Sequence, residues 1–224
     1  MTFALPAITY LAAVHIPLLQ GEMPAVALIR TDTTSSRLVK LTEVRGRMFH
    51  EHIMGYLAEL ADKLVAIDKA TSIAVHLTVS GAALSGADIS SLLAGKWPDE
   101  SWSYVRLASG SELPSIEDSD ERLPINQFKL PRMAIVNTIN YAYNDPGRIY
   151  FSINDDEGRR LEGQLSKFTE RAATVPANDP DAILEYEGES LVIATGVALW
   201  HHFHSKSVRA RLARETMNKQ GMRI

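Results

Sequence analysis

Apolar positions along this chain change their period several times, and each change predicts an element. "ITYLAAVHI" (8–16) is a run of β-branched and apolar residues between Pro6 and Pro17, the pattern of a buried central strand. A turn at 20–24 leads to a second strand, "AVALIRTD" (25–32). After another turn, "RLVKLTEV" (37–44) alternates polar and apolar as a half-exposed strand does. Short turns between three strands predict an antiparallel meander. From 47 to 67 the period lengthens, with Phe49, Ile53, Leu57, Leu60 and Leu64 at helical spacing.

Downstream, a strand is predicted over 72–81, a helix over 83–95 stopped by Gly95, and a strand over 102–109. The stretch 110–131 carries Glu112, Glu117, Asp118, Asp120 and Glu121 with three prolines, and reads as a mobile acidic loop. A helix follows at 132–144, then a turn and short strand at 145–153. The helix at 155–172 opens on acidic residues, which suit the positive end of its dipole. A loop at 175–182 precedes the last apolar helix, whose Leu191, Ile193, Val197 and Trp200 are expected on the sheet. Residues 205–224 form a basic helix or an unstructured arm, set apart from a domain spanning 1–204. This order predicts an α/β mixed sheet of about five strands with helices on both faces, a ribonuclease H-like topology. The strand at 8–16 is expected at its centre, between those at 25–32 and 72–79.

Four stretches carry a resemblance. "PGRIYFSINDDEGRRLEGQLSKF" (146–168) and "EGESLVIATGVALW" (187–200) resemble the last two elements of the C-terminal nuclease domain of phage terminase large subunits. "VHLTVSGAALSGADISSLL" (75–93) is similar to that family's middle strand and helix, and "YLAAVHIPLL" to its first strand. The resemblance runs from about Tyr10 to His204 and rests on the order and spacing of the motifs rather than on any one of them. It implies a nuclease fold in which carboxylates from three elements hold divalent metal. The departures lie at those carboxylates. His15 and His76 stand where the first two acids are expected, and Glu189 and Ser190 where a pair of Asp residues opens the last helix.

Hydrolysis of a phosphodiester by two metals needs several carboxylates around hard cations. Glu189, with Glu187 beside it, is what this sequence offers, and Asp32 at the end of the second strand is a further candidate. A set made of His15, His76 and Glu189 suits zinc, nickel or iron better than magnesium. Each residue also has a plainer reading, and that reading weighs more. Glu189 is a helix-start carboxylate beside a good capping residue, Ser190. The two strand histidines are buried and hydrogen-bonded. His201, His202 and His204 sit where a helix end favours them. No cofactor is expected, and a divalent metal is left open.

Composition narrows the classes. Of 224 residues, 46% are hydrophobic, enough for one large core or two small ones. There is no cysteine, which excludes disulfides, thiolate zinc sites and thiol nucleophiles. A net charge of −4 gives no global pull toward nucleic acid. The tail differs: Lys206, Arg209, Arg211 and Arg214 could lie along phosphates or dock a partner. No membrane span is expected, and a cytoplasmic location is. No phosphate-binding ATPase motif occurs, so a packaging motor would be a separate chain.

Three functions fit. The favoured one is a phage or prophage terminase-nuclease-like domain without catalysis. It would act as a DNA-packaging or DNA-binding accessory, with double-stranded DNA and a separate packaging ATPase or other phage protein as partners. The second is an active metal-dependent endonuclease with a rearranged site. The third is a structural or interaction protein with no nucleic-acid role.

Overall fold

The computed structural model describes residues 8–17, 23–32, 35–44, 59, 73–80, 102–108, 115–117, 126–145, 147, 149–174 and 188–219, and along 73–80 and beyond His204 the description is of the backbone. The strands are β1 (Ile8–His15), β2 (Ala25–Thr31), β3 (Ser36–Glu43), β4 (Ile73–Ser80), β5 (Trp102–Ala108), β6 (Ser115–Glu117), β7 (Asn126–Pro131) and β8 (Tyr150–Phe151). They form one sheet in the order β6-β7-β5-β4-β1-β2-β3-β8. Three helices are described: α1 (Arg132–Asn144), α2 (Asp155–Thr174) and α3 (Ser190–Lys219).

β1 pairs antiparallel with β2 and parallel with β4, as expected of a central strand. Its side chains explain that place. Tyr10, Leu11, Ala12, Ala13, Val14 and His15 are all buried, so both faces of the strand are covered, which suits an interior strand with parallel pairing. Leu11 and Ala13 belong to the same core as Ala25, Ala27 and Ile29 of β2 and Val192, Ile193, Val197 and Trp200 of α3. The last helix therefore lies across β1 and β2. Ser190 to His201 are buried all round, which accounts for a run with no polar face.

The sheet is larger than the pattern of alternation suggested. The stretch 110–131, expected as a mobile acidic loop, contains β6 and β7, which pair antiparallel at the sheet edge. The acids and prolines hid a short period-two signal: Phe128 and Leu130 turn inward, with Lys129 only half-buried between them. Pro131 ends the strand in extended geometry and starts α1, whose Ile135, Val136, Ile139 and Ala142 form its buried stripe. α2 begins with a capping box: Asn154 Oδ1 accepts from the Glu157 amide at 2.8 Å, and a Glu157 carboxylate oxygen accepts from the Asn154 amide at 3.4 Å.

The described helices share one core. The helices predicted at 47–67 and 83–95 lie outside the described residues, apart from Glu59, which is helical. Glu187 also lies outside them. α3 continues without a break through the first fifteen positions of the basic tail, to Lys219.

Candidate functional site: an ion cluster at the mouth of the last helix

Four elements meet where β1 ends. Gly188, at φ +74°, turns the chain into α3 through a left-handed conformation that favours glycine. Glu189 is the capping residue: its carbonyl accepts the Ile193 amide at 3.0 Å, and Ser190, expected as the cap, is already the first helical residue. The Leu191 amide donates to Gln164 Oε1 of α2 at 3.1 Å, so a side chain from a neighbouring helix satisfies one of the helix-start donors. Gln164 Nε2 also donates to Glu43 of β3 at 3.2 Å, and Arg160 pairs with the same carboxylate.

The Glu189 side chain turns to two arginines. Arg132 Nη2 lies 2.6 Å from Oε2, with the two side chains 2% and 1% exposed. Arg171 Nη1 of α2 lies 3.3 Å from Oε1 and is 37% exposed. The Arg132 guanidinium also sits 4.1 Å from the centroid of the Phe168 ring, a cation–π contact. As the first residue of α1, Arg132 places a cation at the positive end of a helix dipole, which is unfavourable by itself. The Glu189 carboxylate offsets it. One buried carboxylate thereby ties α1, α2 and α3 together.

His15, at the end of β1, is fully enclosed and lies within the field of Arg132. Burial, reinforced by the guanidinium charge, lowers its pKa to about 3, so the ring is neutral. Arg132, Glu189 and Arg171 thus come together, with His15 within the field of Arg132.

Other residues singled out in the sequence do not join them. His76 pairs with Leu11, whereas His15 pairs with Ser80. The two histidines share a register parity but lie four residues apart along neighbouring strands, about 13 Å. Asp32 follows Thr31, at the opposite end of β2 from Ala25, the partner of His15. Six residues of strand separate those ends, roughly 20 Å. There Asp32 pairs with Arg30 at 2.6 Å and accepts from the Ser35 amide at 2.8 Å, stabilising a turn. The histidines of α3 serve packing: His201 meets the Phe128 ring edge-on, and His204 stacks on Trp200 while bonding its carbonyl through Nδ1 at 3.2 Å.

Among the described residues, the donor set at Glu189 does not fit a divalent metal. Guanidinium groups have no lone pair to offer a cation, and Arg132 and Arg171 set two of them against the Glu189 carboxylate. Among the described residues, no group of three His, Asp or Glu side chains could hold a metal ion. Nor is any described helix long and apolar enough to cross a membrane.

No protein-family model matches the sequence, and no curated protein matches it. Solved structures do. A human cytomegalovirus terminase nuclease domain, soaked with manganese and bound to an inhibitor, superposes with a TM-score of 0.52 at 14% identity, over 90% of this chain and 86% of that one. A second structure of the cytomegalovirus domain gives 0.46 at 10% identity, over 93% and 90%. A mutant nuclease domain of the large terminase subunit of bacterial virus Sf6, with manganese and beta-thujaplicinol, gives 0.42 at 14% identity, over 86% and 87%. The first of these shows the fold: the chain has the ribonuclease H-like α/β architecture of a terminase nuclease domain. Arg132, Arg171 and Phe168, which complete the ion cluster, are residues that the pattern of alternation did not single out. A signal for Arg132 was present in "KLPRM": a lone arginine opening an apolar helix, where its charge calls for a carboxylate.

Proposed function

We propose that this protein is a terminase-nuclease-like domain that does not cleave DNA and serves as a DNA-packaging or DNA-binding accessory. The observation that carries the reading is the Arg132–Glu189 pair, 2.6 Å apart and enclosed. A guanidinium stands against the carboxylate that, by the sequence resemblance, would have been a metal ligand. Two-metal hydrolysis needs that carboxylate bound to metal and others converging on the same point. His15, neutral and buried beside Arg132, supports the same reading. A rearranged endonuclease would need Asp32 and Glu189 at one point, and a length of β2 separates them. In this reading Arg132 supplies the positive charge beside Glu189 that a bound metal would otherwise supply. The basic positions Lys206, Arg209, Arg211 and Arg214 on α3 supply contacts to DNA phosphates. A separate packaging ATPase or another phage protein is the partner, in the cytoplasm of the host cell.

The trial is supercoiled plasmid incubated with the purified protein in millimolar magnesium, then manganese, each with a chelator control. The reading expects no chelator-sensitive nicking. Nicking that disappears in Glu189→Ala would overturn it.

A further inference from the structure

Fourteen residues along α3 from Glu189, about 21 Å, the helix leaves the core through a ladder of rings. Phe128 packs edge-on to Trp200 at 5.1 Å, and Trp200 stacks on His204 at 6.1 Å and 16°. His204 meets Phe203 at 6.4 Å, and Phe203 meets Tyr141 of α1 at 5.5 Å. The inner end of the ladder is buried. Its outer end is not: Tyr141 is 41% exposed, His204 is exposed and Phe203 partly so. Each outer ring is therefore braced from behind by another ring.

The same helix turns basic at this point. From 205 onward the sequence holds Lys206, Arg209, Arg211, Arg214, Lys219 and Arg223 against one acid, Glu215. At about 100° per residue, the helical repeat brings positions 206, 211 and 214 to within about 80° of the direction of Phe203. Position 214 is nearly in line with it, about 16 Å further on. Braced rings followed by a cationic helix face are the two components by which proteins hold single-stranded nucleic acid: bases stack on the rings, and the backbone follows the charge. Duplex bases are already stacked on one another and cannot use the rings, so the two components together select the unpaired form.

We infer that the exit of α3 is a binding platform for single-stranded nucleic acid, with Tyr141, Phe203 and His204 as the stacking surface and the α3 tail as the phosphate track. The inference rests on the DNA-binding reading above and goes further by naming the strand form and the residues that recognise it.

Fluorescence anisotropy on a labelled oligonucleotide of about 15 nucleotides, single-stranded and as its duplex, tests it with the full chain at matched salt. Wild type should bind the single strand more tightly than the duplex. Tyr141→Ser and His204→Ser should each weaken single-strand binding roughly tenfold and leave duplex binding unchanged. Arg211→Gln with Arg214→Gln should weaken both. If the two ring variants bind the single strand as wild type does, or lose both forms equally, the platform is overturned. Single-strand and duplex binding that both depend on the arginines and neither on the rings would leave the DNA-binding reading standing without the platform. Binding of neither form by wild type would remove both.

Discussion

Arg132 Nη2 and Glu189 Oε2 stand 2.6 Å apart, joining the first residue of α1 to the capping residue of α3 across 57 positions of sequence. Both side chains are all but excluded from water. Removing one partner leaves the other charge buried and uncompensated. Arg132→Ala should therefore destabilise the fold by about 3–5 kcal/mol in urea melts. Replacing both, as Arg132→Met with Glu189→Leu, should recover most of that loss, because an apolar pair of similar volume needs no desolvated charge. Equal destabilisation by the single and double variants would mean that packing, not charge, governs the site.

A second expectation concerns acid. Within the fold His15 has a pKa of about 3 against an ordinary value of 6.5, so between those values the unfolded chain holds one more proton than the folded one. Stability from the neutral ring is complete above about pH 6.5 and is lost as pH falls toward 3. Between pH 6.5 and 5, before carboxylates titrate, the slope attributable to His15 should be about 1 kcal/mol per pH unit. His15→Gln should lose that part of the slope while wild type keeps it. Parallel slopes for the two proteins would refute a neutral, buried His15.

The approach of α1 to α3 gives a third. A Cβ added at Gly196 would lie 2.3 Å from Ile135 Cγ2 and 3.1 Å from its Cβ. Gly196→Ala should force the helices apart at a cost of about 1–3 kcal/mol. The same change made together with Ile135→Ala should cost less than the sum of the two, since the obstructing methyl is gone. Simple additivity would show that the two helices do not meet there.

Much of the fold was legible because its signals are local. The continuous apolar runs of β1 and β2, the alternation of β3, the acidic opening of α2 and the helical span of α1 each lie within one stretch of sequence. The hairpin of β6 and β7 was missed for the same reason: β6 has three residues, too few for alternation to register, and its pairing partner lies beyond an acidic stretch. The site was legible at Glu189 and His15, which the motif order singled out. Its chemistry was not. What Glu189 does depends on Arg132, 57 residues away, and on Arg171 in the preceding helix, and no spacing rule links them. Asp32 shows the converse. It is an acid at a strand end, plausible in sequence, that the register of β1 and β2 carries to the far end of the sheet.

The proposed function holds that Arg132 occupies the carboxylate a metal would need, and manganese binding probes that proposal directly. Free manganese gives a resolved electron paramagnetic resonance signal that broadens when the ion is held by protein. Titrated into the wild-type protein up to millimolar concentration, manganese should behave the same with wild type and with Glu189→Gln, with no saturable site that depends on Glu189. A stoichiometric site present in wild type and abolished by Glu189→Gln would contradict the account.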